Sequence, residues 1–137
     1  MTRVLLDVNV VLDLLANREP FADDAEAVLR LVEGGLIEGL VAAHTITTLH
    51  FLLSRHLSKA RAKRTLSDLL HILRVVAVDE ERIRHALALN WSDFEDAVQA
   101  VCAESAEADY IVTRDKMGFR RAAVKSVTPA ELLALIT

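Results

Sequence analysis

The fold is decided by residues 4–13, which read VLLDVNVVLD. Residues 4–6 form a short, wholly apolar run, which is typical of a strand buried on both faces of a sheet. From about Val10 the apolar residues recur with helical spacing. A buried strand that passes almost directly into a helix indicates the first unit of an α/β fold, and Asp7 stands at the junction.

The same alternation of apolar strands and amphipathic helices continues along the chain. Further strands are predicted over residues 37–42, 75–78, 110–112 and 124–127. Helices are predicted around residues 10–15, 25–32, 46–57, 58–73, 79–87 and 93–107. Thr128, Pro129 and Glu131 form a capping box with proline at the first helical position, which predicts a final helix. This order is typical of a parallel sheet with helices on both faces.

The composition sets limits on the class of protein. The chain has 137 residues, of which 53% are hydrophobic and 26% charged, so we expect one folded domain over residues 1–137 rather than a disordered chain. The formal net charge of -4 excludes a uniformly basic surface for nucleic acid, although local basic patches remain open. The single cysteine, Cys102, excludes an internal disulfide and a cysteine-based zinc site.

The sequence offers no sign of a membrane segment or an export signal. The N-terminal apolar run is interrupted by Asp7 and Asp13 and lacks a small-residue cleavage site. No stretch approaches the roughly 18 uncharged apolar residues that a membrane span needs. Together with the free cysteine, this predicts a cytoplasmic protein with no membrane partner.

Three aspartates fall at the same end of the predicted sheet. Asp7 directly follows the first predicted strand. Asp115 comes after the fourth strand, separated from it by two residues, and Asp96 lies in the first turn of the helix that precedes the fourth strand. Ligands of open α/β sheets bind beyond the carboxyl ends of the strands, so these carboxylates can converge on one cavity. Their mutual repulsion favours a divalent cation, and hard oxygen ligands favour Mg²⁺ or Mn²⁺. Such a cation can activate water for attack on a phosphodiester.

Each aspartate also has a purely structural interpretation. Asp7 could be the N-cap of a helix, and Asp115 could be an ordinary loop residue. Asp93 and Asp96 are spaced as a cap and the third helical residue, where the helix dipole favours acids. The functional interpretation therefore depends on all three acids falling at one edge of the sheet.

Two uncharged polar residues accompany the acids. Asn9 and Thr113 could orient a carboxylate or a metal-bound water by hydrogen bonding. The alternative is that Asn9 is a turn residue and Thr113 ends a strand.

Basic residues cluster in two parts of the chain. The cluster that flanks Asp115 is favoured for binding the phosphates of a nucleic acid. It contains Arg114, Lys116, Arg120 and Arg121, with Lys125 beyond. The other cluster lies over residues 55–64 and is interpreted as a solvated helix face. The five histidines show no metal-ligand pattern with nearby carboxylates, so we place them at helix surfaces or in partly buried positions.

Three segments in this order resemble the PIN-domain family of metal-dependent ribonucleases. Residues 4–13 are similar to the family's opening strand and its Asp-Thr-Asn signature, with Val8 in place of the usual threonine. Residues 93–97 resemble the third acidic motif, with the metal-binding acid at Asp96. Residues 108–115, followed by Phe119, resemble the final motif.

The resemblance implies a three-layer α/β/α sandwich around a parallel sheet of about five strands. It also implies a Mg²⁺- or Mn²⁺-dependent ribonuclease with Asp7, Asp96 and Asp115 as its catalytic and metal-binding acids. Many relatives are toxins of VapBC-type pairs, which implies an antitoxin protein as partner.

One position departs from the family pattern. Alignment of residues 45–49 with the family's second motif puts Thr48 where a glutamate is usual, and residues 44–66 contain no acid. Glu95 could substitute, although we expect it to face solvent because Asp96 takes the inward position. The alternative function is therefore a catalytically weak or inactive PIN-fold module that binds nucleic acid or protein.

The third helix is more apolar than one core-facing stripe requires. This excess, together with the family resemblance, predicts a homodimer. The residues concerned are Leu49, Phe51, Leu52, Leu53 and Leu57.

Overall fold

The computed structural model describes residues 1–136 and contains a five-stranded, all-parallel sheet. The strand order across the sheet is β3-β2-β1-β4-β5, so β1 lies at the centre. The strands are β1 (Thr2–Leu6), β2 (Ile37–Ala42), β3 (Arg74–Val76), β4 (Tyr110–Val112) and β5 (Lys125–Val127). The α/β architecture predicted from the sequence is confirmed.

In the described part of the chain, seven α-helices and one short 3-10 helix connect and cover the strands. The α-helices are α1 (Val8–Leu15), α2 (Ala22–Glu33), α3 (Ala43–Ser54), α4 (Lys59–Leu69), α5 (Glu80–Leu89), α6 (Phe94–Ser105) and α7 (Pro129–Ile136). The 3-10 helix spans Lys116–Phe119. Over residues 1–136, none of these helices has the length and apolar character needed to cross a membrane.

Two apolar cores lie on opposite faces of the sheet. Val4 and Leu6 of β1 pack on one face against helices α1 to α4 and α7. Leu5 points to the other face, where it packs with α5 and α6. Because side chains alternate along a strand, a wholly apolar strand is what a sheet covered on both sides requires. The three-layer α/β/α arrangement follows from this pattern.

Helix caps explain several element boundaries. The Asp7 carboxylate accepts a hydrogen bond from the amide of Val8 at 2.7 Å, so α1 begins at Val8 rather than near Val10 as the apolar spacing predicts. The predicted capping box is confirmed, since the amide of Thr128 donates to Glu131 and the amide of Glu131 donates to Thr128 Oγ1. β3 is shorter than predicted and ends at Val76, because no ladder pairing continues beyond the register of Ala42 with Val76.

The central strands align the ends that carry the candidate site. The amide of Asp7 donates to the carbonyl of Val112, and the amide of Thr113 donates to the carbonyl of Val127. The residues that follow β1 and β4 therefore lie side by side at the carboxyl edge of the sheet.

Candidate active site

Asp7 is buried at the end of β1, with 4% of its surface exposed. One carboxylate oxygen, Oδ1, accepts hydrogen bonds from the amide of Val8 and from Gln99 Nε2, both at 2.7 Å. The other oxygen, Oδ2, accepts from Thr113 Oγ1 at 2.8 Å. Asp7 therefore caps α1, as its structural interpretation proposes, and also joins β1, β4 and α6 at one point.

Asp115 is linked to Asp7 through Thr113. The Thr113 hydroxyl donates to Asp7 and accepts from the backbone amide of Asp115 at 2.9 Å. Thr113 is fully buried, whereas Asp115 is exposed and its Oδ1 caps the 3-10 helix by accepting from the amide of Gly118. Thr113 therefore contacts both aspartates, and its role in orienting the Asp7 carboxylate stays a prediction.

Asp96 approaches Asp115 beside Gly118. A Cβ atom at position 118 would lie 2.8 Å from Asp96 Oδ2 and 2.9 Å from Asp115 Oδ2, so the two oxygens lie within about 6 Å of each other. Only a glycine leaves this space free. Asp93 caps α6 by accepting from the amide of Asp96 at 3.0 Å, so the cap that the sequence offered as an alternative coexists with a site-facing Asp96 carboxylate.

Burial and neighbouring carboxylates raise the pKa values of two acids on α6, Asp96 and Glu95. The pKa of Asp96 is raised to about 7, first by burial and then by the charges of Asp93, Asp7, Asp115 and Glu95. The pKa of Glu95 is also raised, by burial and by Asp93 and Asp7. Glu95 is half-buried beside the acids, so the expectation that it faces solvent is wrong.

Two site residues were missed by the sequence interpretation. Gln99 is fully buried on α6, one turn beyond Asp96, and its Oε1 has no hydrogen-bond partner among the described residues. His44, at the start of α3, lies near Asp7 and the backbone of Glu95, and burial lowers its pKa. The available signals were an amide within an otherwise apolar helical segment and a histidine two residues after the end of β2.

Asn9 and Thr48 do not contact the three aspartates through the hydrogen bonds that the structure gives them. The Asn9 side chain accepts a long hydrogen bond of 3.4 Å from the backbone amide of Arg114. Thr48 Oγ1 donates to the carbonyl of His44 in its own helix at 3.2 Å. Helix α3 contains no Asp or Glu, so no residue of this helix replaces the glutamate that the family usually has.

The basic residues near Asp115 are largely engaged within the protein. Arg114 binds the buried Asp13 and lies 3.9 Å from the centre of the Phe21 ring. Lys116 pairs with Glu131 at 2.9 Å. The other two contact nearby groups: Arg120 donates to the carbonyl of Met117, and Arg121 lies over the ring of Trp91.

The carboxylate oxygens of Asp7, Asp96 and Asp115 are ligands that suit a hard divalent cation. They are not already arranged as a complete set of metal ligands. Within residues 1–136, no group of three or more His, Cys, Asp or Glu side chains is already arranged to hold a metal ion. A carboxylate has about four lone-pair positions, and the three hydrogen bonds to Asp7 leave one of them on Oδ2. Burial and then the neighbouring carboxylates raise the pKa of Asp96, and a bound cation would offset both the desolvation and the repulsion of the charged form.

Solved structures of low sequence identity share this fold. A toxin–antitoxin complex from Klebsiella pneumoniae contains a chain 19% identical to this one, with a TM-score of 0.70 over 92% of this chain and 97% of that one. The structure of VapBC2 from Rickettsia felis, bound to a promoter DNA fragment, contains a chain 14% identical to this one. Its TM-score is 0.68 over 93% of this chain and 98% of that one. VapC20 from Mycobacterium tuberculosis, a Sarcin-Ricin loop cleaving toxin, is 16% identical to this chain. Its TM-score is 0.63 over 79% of this chain and 86% of that one.

Sequence comparisons give the family. A comparison with curated proteins found no match. The PIN domain profile matches residues 3–117, which include all three aspartates of the candidate site. The chain belongs to the PIN domain family.

Proposed function

We propose that this protein is a divalent-metal-dependent endoribonuclease that hydrolyses RNA phosphodiester bonds. PIN domains are in general nucleases, and the family match supports that class of reaction here. The observation that supports the proposal is that Asp7, Asp96 and Asp115 all lie at the carboxyl edge of the sheet. The Thr113 hydroxyl donates to the Asp7 carboxylate and accepts from the backbone amide of Asp115, and carboxylate oxygens of Asp96 and Asp115 lie beside Gly118.

Asp7, Asp96 and Asp115 are the residues that would hold Mg²⁺ or Mn²⁺. When bound, the cation would supply an activated water and stabilise charge on the phosphodiester. Thr113 and Gln99 each donate to one oxygen of the Asp7 carboxylate and so hold it in one orientation. Gln99 Oε1 is left to accept a hydrogen bond from a water in the site.

RNA would approach along the basic residues beside Asp115. We propose that Arg114, Lys116, Arg120 and Arg121 provide positive charge for its phosphates. Three of the four have exposed side chains, and the ion pair of Lys116 with Glu131 is exposed and therefore weak enough for phosphate to compete.

The cellular role that we propose is the toxin of a VapBC-type pair, acting in the cytoplasm. The support is the similarity of the fold to toxin–antitoxin complexes, in which the matched chains have nearly the same length as this one. An antitoxin protein is then the expected partner. Co-expression with a small neighbouring gene product that restores growth would support this role, and growth unaffected by the chain alone would count against it.

The second candidate function is a catalytically weak or inactive PIN-fold module that binds nucleic acid or protein. Two observations favour it. The hydroxyl of Thr48, where the family has a glutamate, is bound to its own helix. The described residues also contain no preformed cluster of three metal-binding side chains.

RNA cleavage distinguishes the two functions. We expect cleavage with Mn²⁺ or Mg²⁺, none with EDTA, and a loss of about a hundredfold or more in the folded Asp7→Asn variant. Asp68→Asn, which changes an exposed aspartate of α4, is the matched control and should cleave normally. Metal-independent cleavage, or equal cleavage by Asp7→Asn, would contradict the proposal, whereas RNA binding without cleavage would favour the inactive module.

A further inference from the structure

A buried charge cluster around Asp13 lies next to the three aspartates of the candidate site and contains none of them. Asp13 of α1 is 1% exposed, although a carboxylate in that position carries a large desolvation cost. Arg114 Nε donates to Asp13 Oδ2 at 2.6 Å, and Arg114 Nη2 donates to Oδ1 at 3.2 Å. Arg18 Nε donates to the same Oδ1 at 2.9 Å. Two guanidinium groups therefore neutralise one buried carboxylate.

Arg114 connects this cluster to the proposed metal ligands. It lies between Thr113, which donates to Asp7, and Asp115. Its guanidinium is bound by Asp13 on one side, and its cationic carbon stacks 3.9 Å from the centre of the Phe21 ring. A side chain held so firmly restricts the backbone from which it projects, and that backbone carries Asp115.

We infer that Asp13 is a positioning residue, which acts through Arg114 to hold residues 113–115 in the geometry that places Asp115 beside Asp7 and Asp96. The inference rests on the proposed function for its consequence, which is metal affinity. The geometric part, a restrained 113–115 segment, is a property of the metal-free protein.

The arrangement suits positioning better than stabilisation. A buried ion pair returns little net stability because desolvation offsets its attraction, but its geometry is specific. The fork of Arg114 meets both oxygens of Asp13, which fixes direction as well as distance. Loss of a residue that orients a metal ligand without touching the metal itself typically lowers metal affinity about 10- to 100-fold.

The two arginines provide a matched pair of variants. Arg114→Gln and Arg18→Gln each remove one cation from Asp13, and both side chains are partly exposed, so the losses of stability should be similar. Only Arg114 is adjacent in sequence to Thr113 and Asp115. The amide of Asp115 donates to Thr113 Oγ1 and reports the position of this segment by hydrogen exchange.

The first measurement is amide exchange in the metal-free proteins. We expect the Asp115 amide to exchange about tenfold faster in Arg114→Gln and in Asp13→Asn, and at the wild-type rate in Arg18→Gln. Equal exchange in all four proteins, or equal acceleration in both arginine variants, would overturn the inference. Because this measurement needs no metal, its outcome is independent of whether the proposed function is correct.

The second measurement is calorimetric titration with Mn²⁺ below the melting temperature of each protein. We expect affinity to fall about tenfold in Arg114→Gln and Asp13→Asn, to fall no further in the double variant, and to change less than twofold in Arg18→Gln. Additive losses would mean that Asp13 and Arg114 act independently, and a raised KM for RNA with unchanged Mn²⁺ affinity in Arg114→Gln would limit Arg114 to substrate binding; either result would overturn the inference. Wild-type protein that binds no Mn²⁺ would contradict the proposed function. That result is distinguishable from a failure of the positioning inference, which the exchange measurement tests without metal.

Discussion

At the scale of single residues, Asp96 shows the conflict between stability and function most clearly. Burial and four neighbouring carboxylates raise its pKa to about 7 from an ordinary value near 3.8. The native state therefore holds a proton that the unfolded chain has released between about pH 4 and pH 7. The native state loses stability as the pH rises through that range, and at pH 8 the full cost of the charged carboxylate is present.

Removal of this charge should stabilise the metal-free protein. We expect Asp96→Asn to raise the free energy of unfolding by about 1–3 kcal/mol at pH 8 in EDTA, a figure reduced from the full shift because the carboxyl is partly exposed. The gain should shrink steadily as the pH falls to 5. Urea unfolding at several pH values measures it, with Glu104→Gln, an exposed acid on the same helix, as control. A gain independent of pH would contradict the electrostatic explanation.

At the scale of elements, the sequence predicted strands and helices well because local rules determine them. The apolar residues 4–6 and the capping box at Thr128 and Glu131 are recognisable without tertiary information, and both are confirmed. The roles of Gln99 and His44 could not be predicted in this way. They depend on how α6 and the start of α3 pack against the end of β1, which is a long-range property.

The capping box at the start of α7 gives a stability prediction. We expect Thr128→Ala to lower the free energy of unfolding by about 1 kcal/mol, because the amide of Glu131 loses its acceptor. Thr128→Ser keeps the hydroxyl and should lose much less. Denaturant unfolding of wild type, Thr128→Ala and Thr128→Ser gives their free energies of unfolding. Equal values for Thr128→Ala and wild type would show that the cap contributes no stability.

The position of Thr48 on α3 gives a prediction about metal affinity. If Thr48 takes the place of the family's glutamate, Thr48→Glu should supply the missing carboxylate and tighten Mn²⁺ binding severalfold. Thr47→Glu places the same charge on the exposed neighbour and should have little effect. Calorimetric titration compares them, and equal or weaker affinity in a folded Thr48→Glu variant would mean that the alignment of this helix is wrong.

At the scale of the whole molecule, self-association remains a prediction that α3 supports only in part. Leu49 and Leu53 are buried in the core of the same chain, so they are not available to a partner. Phe51 is 59% exposed, with the Arg55 guanidinium 4.6 Å from its ring centre. The exposed part of the predicted dimer surface is therefore narrower than the sequence indicated.

Substitution of Phe51 tests the dimer. We expect sedimentation at micromolar concentration to show a species of twice 15.1 kDa, and Phe51→Ser to shift it towards the monomer. Leu87→Ser, which changes a comparably exposed side chain on α5, should leave the dimer intact. A wild-type protein that sediments only at 15.1 kDa would contradict the prediction.

The central claim is that Asp7, Asp96 and Asp115 form one divalent-metal site. Anomalous diffraction from crystals grown with Mn²⁺ tests it most directly, because the manganese signal locates the ion without assumptions about its ligands. We expect a single strong peak, with oxygens of all three carboxylates at about 2.0–2.6 Å from it or joined to it through one water. A peak held by other residues, or no peak in crystals of protein that cleaves RNA with Mn²⁺, would contradict it.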